Sequence, residues 1–206
     1  NIMKILIIYV SVFLFIFSHN AMANNNISHA IAMHGEPKYD SDFLSVEYVS
    51  NSAIKGGNIV RSSIGNYDTF NPFTLKGNSA AGIGLLYESL TVSSSDEAFT
   101  EYGLLAKKIE WPEDRSWVAF TLRDEAVWHD GKKISSDDVV WTFNTLMEKG
   151  HPFYKYYYGD VSEVIKISEN EVKFLFSTNT NKELVLIVGQ LPVLPKHYWE
   201  NKNFEE

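Results

Sequence analysis

The chain has 206 residues, 45% of them hydrophobic, enough for one ordinary core or for one lobe of something larger. Its 18 Lys and Arg against 26 Asp and Glu give a net charge of −8. No basic run outside the extreme N-terminus could neutralise a phosphate backbone, so nucleic acid is not expected as a partner. Cysteine is absent, which removes disulfides, thiolate zinc sites, cysteine nucleophiles and N-terminal cysteine lipidation together.

Lys4 precedes the apolar runs Ile5 to Val10 and Val12 to Phe17, and Ala21-Met22-Ala23 supplies a small-x-small cleavage site. This reads as a secretory signal peptide over residues 1–23. The alternative, a membrane anchor, is disfavoured by length: the apolar run covers only about 20 Å as a helix against a hydrocarbon core of roughly 30 Å. No later segment approaches spanning length, so after cleavage an integral membrane protein is not expected. From Asn24 to Tyr39 a polar stretch, then Gly35 and Pro37, predict no regular element. Phe43 to Val49 reads as a short extended piece and Asn58 to Ile64 as a strand ending at Gly65.

The loop Tyr67-Asp68-Thr69-Phe70-Asn71-Pro72-Phe73 is aromatic, and its rings could either plug the edge of a core or line a ligand site. Lys76 to Gly84 lacks the Gly-Lys-Ser/Thr ending of a phosphate loop. Ala80 to Leu90, with Ile83, Leu86, Tyr87 and Leu90 on one face, predicts a helix, followed by a polar connection from Thr91 to Phe99. Pro112 to Arg115 turns the chain into the most legible stretch. There Val118, Phe120 and Leu122 alternate with Trp117, Ala119 and Thr121 as on a half-buried strand. A turn at Asp130-Gly131 follows. Ser135 and Asp138 then have the capping-box spacing for a helix whose stripe is Val139, Val140, Phe143, Leu146 and Met147, stopped by Gly150 and Pro152.

His151 to Gly159 holds five aromatic residues, suited equally to packing and to a ligand surface. Val164 to Ile167 and Val172 to Phe176 predict a hairpin across Glu169-Asn170. Leu184 to Val188 is a short buried segment, helix or strand, and Pro195 opens a helical turn through Trp199. Catalysis finds little support. His129-Asp130 with Ser135 or Ser136 is the one tempting triad, but adjacent His and Asp cannot orient each other as base and partner, and the chain is read as no enzyme. No metal or cofactor is expected, since the six histidines show no ligand spacing.

Trp117 to Arg123, Trp128-His129-Asp130-Gly131 and Ser135 to Val139 resemble the signature of the family 5 extracellular solute-binding proteins, with Ser136 where alanine is usual. Lys55-Gly56-Gly57, Phe70-Asn71-Pro72-Phe73, Gly150-His151-Pro152-Phe153-Tyr154 and Gly189 to Trp199 are similar to its Yej-type branch, whose members bind oligopeptides and peptide-like antibiotics. The resemblance implies a mixed α+β (α/β) fold of the periplasmic binding protein type 2 kind, serving an inner-membrane ABC permease from the periplasm. It implies a first lobe with its inserted subdomain only, the second lobe being absent. Residues 24–66 and 186–206 would belong to that first lobe and 67–185 to the subdomain. It also places ligand contacts at Lys76, Gly77 and Asn78 and at an aromatic after the central helix, Phe153 or Tyr154, with an oligopeptide as ligand. The rival from another class is a self-contained secreted interaction or structural module.

Overall fold

The computed structural model describes residues 25–205; the expected signal sequence lies outside the described residues. Two antiparallel sheets carry the fold. The larger is built from β1 (Asn25–Ser28), β5 (Ala106–Pro112), β6 (Trp117–Leu122), β8 (Glu171–Phe176) and β7 (Val161–Ser168), in that spatial order. The smaller is β2 (Ala30–Ala32), β4 (Thr100–Gly103) and β3 (Thr91–Ser93), again in spatial order. Four helices follow β6 in sequence or interleave with the last strands: α1 (Ser136–Lys149), α2 (Pro152–Tyr157), α3 (Leu184–Ile187) and α4 (Lys196–Trp199).

The alternation in β6 is the reason for the core. Val118, Phe120 and Leu122 are wholly buried, and the register sets Phe120 between Ile109 of β5 and Val172 of β8. α1 lies over β7 and β8 and drives Val139, Phe143 and Leu146 into the same cluster. Three rings meet there edge to face: Phe120 on Phe174 at 5.8 Å and Phe143 on Phe174 at 5.9 Å, the arrangement that ring quadrupoles favour. The capping box of Ser135 and Asp138 is formed as the spacing predicts. The hairpin across Glu169-Asn170 and the helical turn after Pro195 are also present, and Leu184–Ile187 takes the helical alternative.

Five expectations are corrected. Residues 25–32, expected to hold no regular element, form β1 and β2, because each finds a partner far along the chain: β1 pairs with β5 and β2 with β4. Polar residues suit the β1 edge, where Asn25 Nδ2 donates to Glu110 Oε1 at 2.9 Å. Thr91–Ser93, expected as connection, is likewise the edge strand β3. Phe43 to Val49 is a series of turns, closed by Phe43 N–H to Asp40 O and Val49 N–H to Val46 O, both 3.1 Å. Asn58 to Ile64 pairs with no strand among the described residues. Ala80 to Leu90 contains only a 3₁₀ turn, Ile83–Leu86, because Gly82 takes a left-handed φ of 82° and Tyr87 is extended.

A charged cluster secures the segment before the first loop. Lys38 Nζ lies 2.7 Å from both Asp96 and Glu47, Ser94 Oγ and Tyr39 Oη donate to Asp96 at 2.5 Å, and Tyr39 packs on Phe43 and Tyr102. The Lys38 ammonium, then the Ser94 and Tyr39 hydroxyls, hold the Asp96 carboxyl well below the usual range. Asp96 and then Glu47 hold Lys38 above its ordinary value. A depressed carboxylate contributes stability above its unfolded pKa of about 4, lost as pH falls through the folded value. A raised lysine contributes below about 10.4, lost as pH rises through its folded value. Near-UV circular dichroism of this tyrosine cluster is therefore expected to stay constant between those limits and to decline in acid. Asp96→Asn should abolish the acid step; an unchanged step in that variant would refute the assignment.

Candidate functional site

The loop that carries Lys76, Gly77 and Asn78 is tied at its neck. Asp68 and Thr69 N–H donate to the Asn78 carbonyl at 3.0 and 3.3 Å, Ala80 N–H donates to Thr69 O at 3.0 Å, and Asn78 N–H donates to Asp68 Oδ1 at 2.6 Å. Gly77 has φ 76°, and a Cβ there would run into the Asp68 carboxylate, so both conformation and space demand glycine. Lys76, Gly77 and Asn78 all face solvent.

Below the neck, Asn71 anchors the loop. Its buried side chain accepts Phe73 N–H at 3.0 Å and donates to the Phe204 carbonyl at 2.6 Å. Phe73 is buried, edge-on to Tyr87 at 5.0 Å, whereas Phe70 and Tyr67 point outward, 5.3 Å from each other. The aromatic loop thus plugs the core with one ring and exposes two.

The second segment meets the first through the backbone: His151 N–H donates to Phe73 O at 2.7 Å. The His151 imidazole then accepts Phe153 N–H at 3.0 Å and caps α2. Phe153 is 49% exposed and stacked on Tyr157 at 4.9 Å. Tyr154 is partly buried, stacked on Tyr158, and burial pushes its phenol pKa up. Of the two, Phe153 offers the more accessible face.

A separate groove of about 510 Å³ lies beside Phe70, walled by Leu86, Tyr87, Trp128, Tyr198 and Trp199, with His129, Asp130 and His197 also in its lining. Asp130 Oδ2 is 2.9 Å from His197 Nε2. The Lys132 N–H, then His197, keeps the Asp130 carboxyl below its ordinary range against an opposing desolvation cost. The walls are joined by Asp138. Its Oδ2 accepts from Ser135 N–H at 2.9 Å and from the Trp128 indole at 3.4 Å, and its Oδ1 accepts from Lys196 N–H at 2.9 Å. Sequence reading missed this groove as a whole, because its rings lie far apart in the chain; the aromatic loop of Phe70, read as a possible ligand wall, supplies one of them.

The suspected triad is not assembled. Asp130 turns to His197 and to Lys132 N–H, Ser135 Oγ donates to Asp138 at 3.2 Å, and Ser136 Oγ donates to the carbonyls of Ser168 and Glu169. These serines serve the helix start and the hairpin.

Residues 100–206 match the model for bacterial extracellular solute-binding proteins, family 5 (middle). The chain belongs to the family 5 solute-binding proteins. It is 41% identical over 187 residues to the "Peptidoglycan-binding protein YepA" of Agrobacterium fabrum, covering 86% of this chain and 30% of that one. It is 39% identical over 166 residues to the "Probable peptide-binding protein YejA" of the same organism, covering 81% and 27%. Among solved structures, the oligopeptide-binding protein AppA of Bacillus subtilis, in complex with a nonapeptide, superposes with a TM-score of 0.54 at 25% identity, over 69% of this chain and 28% of that one. The chain therefore spans less than a third of the length of these family 5 relatives. Their fold, periplasmic binding protein type 2-like and mixed α+β, is the fold seen here in part. Among the described residues no helix is long and apolar enough to cross a membrane.

Proposed function

We propose that this polypeptide is part of a periplasmic substrate-binding component that delivers oligopeptides or peptide-like compounds to an inner-membrane ABC permease. The observation that carries the reading is the 2.7 Å hydrogen bond from His151 N–H to the Phe73 carbonyl, which ties the residues just before Lys76 to the start of α2, where Phe153 is exposed. Between them the two segments offer a cation, an exposed backbone, a side-chain amide and an aromatic face. A peptide offers the matching groups: a carboxylate, main-chain donors and acceptors, and apolar side chains. The names of the relatives, peptide-binding and peptidoglycan-binding, share a peptide component and support the same ligand class.

In this reading residues 1–23 are a secretory signal, residues 24–66 and 186–206 belong to a first lobe, and 67–185 to a subdomain inserted in it. Across the first of these boundaries β1 pairs with β5 and β2 with β4, and across the second Asn71 donates to the Phe204 carbonyl. Taken alone, residues 24–206 would leave a peptide on this wall short of the 70–90% burial typical of enclosed sites, so affinity weaker than about 1 μM is expected of them. Nuclear magnetic resonance titration with a pool of tri- to pentapeptides should shift the amides of Lys76, Gly77, Asn78, Phe153 and Tyr154 first. Shifts confined to the Trp128–Trp199 groove, or none at millimolar peptide, would overturn the site assignment.

A further inference from the structure

Among the described residues, no hydrogen bond or ion pair reaches any residue from Ile54 to Gly65, and all of them are exposed. From Gly56 to Ser63 the chain runs without turn or bend, with Ile59 88% and Val60 97% exposed. It is fastened on either side, by Ser95 N–H on Tyr48 Oη at 3.3 Å before the segment and by Asp68 N–H on the Asn78 carbonyl at 3.0 Å after it. An endoprotease binds its substrate as an added strand, with main-chain hydrogen bonds around the bond it cuts, so a folded segment must first open locally. Here there is nothing to open. The segment also holds Lys55 and Arg61 and no acidic residue, within a chain of net charge −8.

We propose that the Arg61–Ser62 bond is a processing site for an endoprotease with an acidic primary pocket, and that the cut chain stays one folded body. The chain has three arginines, and two are committed elsewhere. Arg115 sits at a left-handed φ of 56°, and its guanidinium donates to the Ala32 and Lys182 carbonyls, both at 3.0 Å. Arg123 donates its N–H to Leu105 O at 2.9 Å and its Nε–H to Leu104 O at 2.8 Å. Arg61 is exposed, and its guanidinium has no partner among the described residues, which leaves it free for a carboxylate at the base of a pocket. Lys55 shares the segment but is followed by Gly56 and Gly57 at φ 109° and 96°, outside the strand conformation that a protease holds. Hydrolysis adds one water across the Arg61–Ser62 amide, leaving a carboxylate on Arg61 and an ammonium on Ser62. The piece that ends at Arg61 keeps β1 and β2, which pair with β5 and β4 of the other piece, and Lys38, which pairs with Asp96 across the cut.

The test is limited digestion of the folded chain with an arginine-specific endoprotease, read by mass spectrometry. Cleavage after Arg61 is expected to be about 100-fold or more faster than after Arg115 or Arg123. The two pieces should elute together in size exclusion and part only in denaturant. Arg61→Gln removes a side chain with no contact to lose, so it should abolish the early cut and leave the melting temperature unchanged. Adding Ser63→Arg to that variant should restore an early cut two bonds later, because the whole segment is presented and not one residue of it. Cleavage after Arg61 no faster than after the other two arginines, no rescue by Ser63→Arg, or separation of the pieces without denaturant would each overturn the proposal.

Discussion

Replacing Phe120 with alanine is expected to lower the unfolding free energy by about 3–5 kcal/mol, the range for a large aromatic removed from a core. Phe120 has no exposed surface, and its neighbours across the sheet, Ile109 and Val172, are equally sealed. Main-chain pairing on both sides holds β5 and β8 in place, so the cavity cannot collapse. The ring also presents Phe174 with an edge-to-face partner at 86°. A double-mutant cycle between Phe120→Leu and Phe174→Leu should therefore return a coupling of about 0.5–1.5 kcal/mol beyond the separate losses. Urea unfolding followed by far-ultraviolet circular dichroism measures both. A loss below about 1 kcal/mol for Phe120→Ala would mean that the sheet repacks freely, contrary to the register described.

Asp138→Ala is expected to cost a similar amount, about 3–5 kcal/mol, for a different reason. The carboxylate is 4% exposed and accepts from Ser135 N–H, Ser135 Oγ, the Trp128 indole and Lys196 N–H. Alanine leaves the two backbone donors without their acceptor and removes the helix cap at the same time. Asparagine keeps the shape and one acceptor, so Asp138→Asn should lose only about half as much. The distinguishing readout is local. If Asp138 joins the groove walls as described, Trp128 emission should shift to the red in Asp138→Ala before global unfolding, and a native-like Trp128 spectrum would show that the cap alone was lost.

What the sequence revealed depended on where each element finds its partner. β6, α1 and the β7–β8 hairpin were legible because their signals are local: alternation, a capping box, a two-residue turn. β1 and β3 were hidden because they are short edges made mostly of Asn, Ser and Thr, and their pairing is decided by residues on β5 and β4. Residues 58–64 show the converse, a local strand signal with no partner among the described residues. At the site, the loop of Lys76 to Asn78 and the aromatic after α1 were picked out through family resemblance. Nothing in their spacing shows that His151 N–H reaches the Phe73 carbonyl. The second oxygen of Asp138 was likewise invisible: the capping box accounts for one, and the other meets Lys196, 58 positions on.

The hydrogen bond from Asn71 to the Phe204 carbonyl spans 133 positions, and that separation has a meaning in time. At a synthesis rate of about 5–20 residues per second, Asn71 is made roughly 7–27 s before its partner. Until Phe204 emerges, the Asn71 amide and the Phe73 ring lack the cover that Phe204 gives them, and the base beneath Lys76, Gly77 and Asn78 is unfinished. The loop is therefore completed well after it is encoded, and a nascent chain halted before Phe204 would carry the loop residues without the partner that clamps them.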